Sequence, residues 1–213
     1  MKRYSKTIAA VLPVVLLAAC ASDPVSQKLA SLAFSYVRGE NVKLPREQIA
    51  AIPYATMGLE FGFTPQILLV LGQANSDELD WYAGEELFVA TQRGRVLRTA
   101  GLPNDLGGRH AVAQRGAGAV SYTLDFPDMG VFGVAALCAS TNRGEESVQI
   151  LGAAIVTRHV VEHCSVPGLK WVFDNEYWED PTTGYVWRSR QYVHPKSPPI
   201  VLEVFRPEDA TPG

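Results

Sequence analysis

Hydrophobic and polar positions change rhythm twice along this chain. Residues 1–20 open with three cations, Lys2, Arg3 and Lys6, and run into an apolar stretch over 8–19. That stretch is shorter than the about 20 apolar residues a spanning helix needs; its length and charge are those of a cleavable export signal. Over 25–38, apolar side chains recur at Leu29, Leu32, Ala33 and Tyr36, the spacing of an amphipathic helix, with Gly39 as its stop. A second short helix is predicted from Pro45, suited to a first turn, to Ala51, and Pro53 ends it.

Beyond Pro53 the period falls towards two. Strands are predicted over 66–72, 79–82, 87–91, 95–99, 119–126, 130–139, 150–164, 169–178, 184–193 and 200–205. Gln92-Arg93-Gly94 turns one hairpin and Asp180-Pro181-Thr182-Thr183 another. Residues 101–109 read as a loop, 141–146 as a polar turn, 195–199 as a rigid corner and 207–213 as a tail; a bulge is expected near Gly152. The fold class is mainly β: an antiparallel meander barrel or sandwich of about nine or ten strands, with one or two N-terminal helices packed on it. An integral outer-membrane barrel also uses alternating strands, but Arg158, Glu162 and Lys170 interrupt any continuous outward apolar band.

The end of the first segment decides compartment. Leu17-Ala18-Ala19-Cys20 looks like a bacterial lipobox, in which Cys20 is lipidated and becomes the first mature residue; an ordinary secretory signal with an incidental cysteine is the plainer alternative. Two or more acyl chains hold a protein on a membrane without a spanning segment. Ala21 and Ser22 follow, and Asp23 comes only third. Lipoproteins kept in the inner membrane resemble one another in carrying Asp directly after the cysteine. The expected location is therefore the outer membrane, lipid-anchored and facing the periplasm. The predicted organisation is a signal peptide over 1–19, a lipidated tether over 20–24 and a single β-rich domain over 25–213.

Charge narrows the partners. The whole chain carries 19 Lys+Arg against 22 Asp+Glu, a formal −3; without residues 1–19 three cations go, leaving 16 against 22, or −6. A mildly acidic exported domain has no electrostatic footprint for nucleic acid. With Cys20 assigned to lipid, Cys138 and Cys164 remain as a pair in an oxidising compartment. They form either a disulfide or two buried thiols, depending on whether their strands bring them to one face.

Candidate chemistry is sparse. His159 and His163, beside Cys164, have metal-like spacing, but in a strand Cys164 points the other way, and neither His110 nor His194 supplies a second ligand pair. No metal, cofactor or catalytic residue is assigned. Asp174, Glu176, Glu179 and Asp180 lie close enough to raise a polysaccharide hydrolase as the alternative function, although acids on a hairpin also serve as a solvated edge. The richest segment is the C-terminal hairpin, with Trp171, Trp178, Tyr185, Trp187, Arg188 and Arg190 as candidate glycan contacts. An exposed aromatic row beside arginines suits sugar rings and acidic sugars; cross-strand packing inside the sheet is the other reading.

Several segments together carry a resemblance. Ile52-Pro53-Tyr54-Ala55, the strand Gln66-Ile67-Leu68-Leu69-Val70-Leu71-Gly72, Trp81, and Thr91-Gln92-Arg93-Gly94-Arg95 followed by Thr99-Ala100-Gly101-Leu102 are among them. Trp187-Arg188-Ser189-Arg190-Gln191-Tyr192-Val193-His194-Pro195 completes the set. In order and spacing the chain resembles the YjbF/GfcB family of bacterial lipoproteins, encoded with exopolysaccharide and capsule export genes. The resemblance implies a non-enzymatic, outer-membrane-anchored β domain that assists assembly or export of an extracellular polysaccharide. Its implied partners are the membrane through lipid, the polysaccharide, and an outer-membrane barrel or other export proteins. Cys20 is the one functional residue it transfers.

Overall fold

The structure is a computed structural model that describes residues 46–114 and 119–208. The signal segment, Cys20 and the predicted helix over 25–38 lie outside the described residues. The second predicted helix forms as a short α1, Arg46–Ala50. Twelve strands follow: β1 Thr56–Phe61, β2 Ile67–Asn75, β3 Glu78–Ala83, β4 Leu87–Gln92, β5 Arg95–Ala100 and β6 Gly108–Gln114. After these come β7 Ala119–Phe126, β8 Val131–Ile150, β9 Ala153–Val166, β10 Trp171–Glu179, β11 Val186–Gln191 and β12 Ile200–Arg206.

All twelve belong to one antiparallel sheet, in the order β5-β4-β3-β2-β1-β12-β11-β10-β9-β8-β7-β6. Every neighbouring pair is joined by a short connection except β1–β12, where the first strand pairs with the last along Met57↔Val204 and Phe61↔Ile200. The two edges, β5 and β6, are consecutive in the chain. Residues 101–107 bring them together, and the Thr99 amide donates to the Leu106 carbonyl at 2.9 Å. The sheet is therefore a nearly closed barrel.

Period-two alternation fills the lumen. Met57 and Leu59 on β1, Leu69 on β2, Trp81 on β3, Val89 on β4 and Leu202 on β12 are all buried. One end is packed: Phe126 meets Trp171 edge-on at 6.0 Å and His194 at 5.1 Å between ring centroids. Two hairpins use two-residue turns with both residues in the left-handed region, Arg93-Gly94 (φ 49° and 73°) and Leu151-Gly152 (φ 48° and 84°), as the twist of paired strands requires.

Strand count and one boundary depart from the sequence reading. Among the described residues there are twelve strands, not nine or ten, because β1 and β6 gave no alternating signal. β1 buries four consecutive residues, Thr56 to Leu59, and β6, Gly108–Gln114, mixes small and polar residues. The expected polar turn over 141–146 is instead the middle of β8, with its irregularity between Asn142 and Gly144. The turn lies at Leu151-Gly152, where a bulge was expected. Here β8 runs on past the end of β7 and is exposed on both faces over 139–147, and its last residues with the start of β9 form an arm. Its tip folds over the outside of the sheet, where Val148, Ile150, Leu151 and Ile155 pack on Trp178, Trp187 and Phe205.

Candidate functional site

Two features occupy the lumen beyond the packed end: a buried polar cluster and an open cavity. The cluster is built by inward positions of six strands. Glu162 of β9 is 1% exposed and accepts from Arg109 Nη2 of β6 at 3.0 and 3.2 Å and from Asn175 Nδ2 of β10 at 3.1 Å. The hydroxyls of Tyr177 and Tyr122 donate to the same carboxylate at 3.2 and 3.4 Å. Arg109 lies over the Tyr122 ring at 3.9 Å and Arg95 over Tyr177 at 4.4 Å. Gln191 of β11 joins this cluster to β5. Its Oε1 accepts from the Val96 amide at 2.9 Å, and its Nε2 donates to the Gly94 carbonyl at 2.9 Å.

Burial alone would raise the Glu162 carboxyl; the Arg109 guanidinium, the Asn175 amide and Arg95 outweigh it and hold it below the ordinary carboxylate range. Burial, followed by the Glu162 charge, pushes the Tyr177 hydroxyl well above its ordinary range. Burial opposes the charge on Arg109, yet Tyr177 and Glu162 raise its affinity for the proton further. The charges are thus fixed and fully paired, the arrangement a buried ion pair needs in order to persist.

Cys138 and Cys164 stand directly opposite each other on β8 and β9 and are joined by a disulfide. Their sulfurs and the Glu162 carboxylate lie within 4.8 Å of one another. The sulfurs are consumed by the bond and the carboxylate by its donors, so this trio is not a free ligand set. His159 and His163 do share a face, the outer one. His163 Nδ1 pairs with Asp174 at 2.7 Å, while His159 sits between Glu146 and Glu176 at 3.2 and 3.1 Å.

The four hairpin acids are separated. Asp174 and Glu176 face outward, and Glu176 also meets Arg190 at 3.2 Å. Glu179 faces inward between Arg158 and Arg95, at 2.9 and 3.3 Å. Asp180 caps its own loop, accepting from the Thr182 and Thr183 amides at 3.0 and 2.7 Å. No two of them face each other across a cleft.

The six candidate glycan contacts do not share one surface. Trp171 stacks on Phe173 at 4.0 Å inside the packed end. Trp178, Trp187, Arg188 and Arg190 come together on the outer face. There Trp178 is only 9% exposed under the arm tip and lies parallel to His159 at 4.9 Å. Arg188 lies over Trp178 at 5.3 Å and faces Glu203 at 3.5 Å, and Arg190 lies over Tyr192 at 5.6 Å. The indole N–H groups of Trp178 and Trp187 have no acceptor, so packing and stacking hold them. Tyr185 stands at the open end, edge-on to Trp187 at 5.1 Å, and donates to Glu208 Oε2 at 3.1 Å.

Sequence reasoning missed that open end. A cavity of about 600 Å³ enters the barrel there, walled by Met57, Leu79, Trp81, Val186, Leu202 and Val204. Its mouth is made by Asp77 of the β2–β3 turn, Arg93 of the β4–β5 turn, Asp180 and Thr183 of the β10–β11 loop, and Glu208. The signal that could have found it is the run of small or medium inward residues at the same end of β1, β11 and β12, which cannot fill a lumen of this width.

Comparison with known proteins places this barrel. Residues 26–205 match the family model of YjbF, described as group 4 capsule polysaccharide lipoprotein gfcB. Among curated proteins the chain is similar to the uncharacterized lipoprotein GfcB of Escherichia coli (strain K12): 25% identical over 178 residues, covering 79% of this chain and 83% of that one. Among solved structures it is similar to the hypothetical lipoprotein YmcC of Escherichia coli (K12), with TM-score 0.65 and 22% identity over 89% of this chain and 98% of that one. That likeness shows a shared fold. With a family match spanning almost the whole described barrel, the chain belongs to the YjbF family of capsule-polysaccharide-linked lipoproteins.

Proposed function

We propose that this protein is an outer-membrane lipoprotein, anchored through Cys20 and facing the periplasm, that assists assembly or export of an extracellular or capsular polysaccharide. The observation that carries this reading is the family match over residues 26–205, whose description names a capsule polysaccharide lipoprotein. It acts without catalysis, by handling the glycan or by scaffolding an export complex that includes an outer-membrane barrel. Supporting the non-catalytic part, Asp174 is held by the His163 ring, Glu176 by Arg190, Glu179 by Arg158 and Asp180 by its own loop. The outer cluster of Trp178, Trp187, Arg188 and Arg190, with Tyr185 at the rim, is the surface on which a glycan or a partner would be read.

Deleting the gene in its host and restoring it, with surface and secreted polysaccharide quantified, tests the role. Loss on deletion with recovery on restoration is expected; unchanged polymer under producing conditions overturns it. Asp174→Asn with Glu176→Gln, outside the buried cluster, should leave export intact. A loss of export with an intact fold would favour the hydrolase instead.

A further inference from the structure

We propose that the open end of the barrel binds the alkyl chain of an amphiphile with an uncharged head, the chain lying in the cavity and the head at the mouth. The six wall residues, Met57, Leu79, Trp81, Val186, Leu202 and Val204, come from four strands and present hydrocarbon or indole to the space. Of the polar groups that also line the cavity, the Trp81 indole N–H donates to Thr91 Oγ1 at 3.0 Å and Ser189 Oγ accepts from Gln191 Nε2 at 2.8 Å, which leaves the Trp187 indole N–H without an acceptor. A sugar ring pushed inside would leave its hydroxyls without partners, at about 1–3 kcal/mol each, whereas an alkyl chain has none to satisfy. The volume, about 600 Å³, lies within the range of small-molecule sites.

The floor and the mouth set the ligand's shape. Deeper along β11, Gln191, Tyr177 and Glu162 fill the lumen with bonded polar groups, so the space available to a chain has a definite end. Among the described residues that line the mouth, Asp77, Asp180 and Glu208 set three carboxylates against the guanidinium of Arg93, which Asp77 already pairs at 3.1 Å. A phosphate or carboxylate head would meet net negative potential; a neutral head would not. β1 begins and β12 ends at this same end, and α1 lies there, with Arg206 Nη1 donating to the Ile52 carbonyl at 2.8 Å. The described chain, at Arg46, therefore starts beside the mouth.

The test uses the mature chain carrying Cys20→Ala, titrated with n-alkyl maltosides of increasing chain length below their micellar concentrations, with heat of binding as the readout. Saturable one-to-one binding is expected, tightening about threefold to fourfold per added CH2 until the polar floor is reached, then levelling. Val204→Trp, which fills the cavity near its mouth, should weaken dodecyl maltoside at least tenfold while circular dichroism stays unchanged. Dodecyl phosphate should bind more weakly at low salt and approach the maltoside as salt screens the mouth. Absence of saturable binding, indifference to chain length, or free maltose competing as well as dodecyl maltoside would each overturn the proposal. The protein used carries no lipid and no export partner, so failure here is separate from failure of the polysaccharide role.

Discussion

Glu162 shows at the scale of one residue how this barrel tolerates charge in its lumen. A carboxylate this buried persists only if its partners replace the water it lost, and Arg109, Asn175, Tyr177 and Tyr122 do so. Removing it leaves Arg109 buried and unpaired, so Glu162→Ala should destabilise the fold by about 3–5 kcal/mol, read as a shift of the urea midpoint at pH 7. The pH dependence has a definite sign. The Glu162 carboxyl titrates lower folded than unfolded, so its contribution is complete above the unfolded value of about 4.3 and is lost as acid protonates the folded carboxylate. Tyr177 titrates higher when folded, so its contribution holds below about pH 10 and is lost as pH rises beyond it. Stability measured against pH should therefore be flat through neutrality and fall on both sides. A Glu162→Gln variant that kept the full acid limb would show that other carboxylates cause it.

Among elements, the β8–β9 arm and the β4–β5 turn carry most of what the sequence hid. A barrel strand such as β12, Ile200–Arg206, was legible because one face meets a core and the other meets water, which writes period two into the chain. The arm has no core on either face near Asn142 to Glu146, where β8 is exposed. Polarity there tracks solvent and mimics a turn. The cysteine pair was legible from compartment and count, but its register, Cys138 opposite Cys164, needed the structure. Reducing that bond, or Cys138→Ser with Cys164→Ser, opens a 26-residue separation and should lower stability by about 3–4 kcal/mol in the chain-entropy account; matched thermal melts with and without reductant measure it. The β4–β5 turn presses on β11 across the lumen. A Cβ on Gly94, whose φ is 73°, would stand 2.3 Å from Val186 Cβ. Gly94→Ala should thus lose more than the about 1–2 kcal/mol of left-handed strain alone, with Val186→Ala in the same chain restoring part of it.

On the scale of the whole molecule, the sheet pairs its first strand with its last and brings its two edges together. Among the described residues the two edges, β5 and β6, meet without a ladder between them, and β8 past Ala139 has no strand on its β7 side. Beyond these edges the molecule presents two features, its open end and its outer aromatic cluster. Neither was readable from the chain. Which aromatics face outward depends on a parity fixed by bulges, such as the one that leaves Trp187 unpaired between Arg188 and Val186 opposite Trp178 and Glu179.

The membrane connection is the property most open to test from sequence. Cys20 closes the apolar segment, and Ala21, not Asp, follows it. If this pair of positions directs the protein to the outer membrane, the change can be made away from the barrel, because both lie outside the described residues 46–114 and 119–208. Ala21→Asp should then move the full-length protein from the outer-membrane to the inner-membrane fraction of a density gradient, with its thermal melt unchanged. Cys20→Ala should release it from both. Polysaccharide output in the Ala21→Asp strain separates the two roles the molecule could play. A barrel that must sit beside an outer-membrane partner loses function when retained inside, whereas one that only receives glycan in the periplasm keeps it. An Ala21→Asp protein still found in the outer membrane would instead assign the sorting decision to residues other than the one following Cys20.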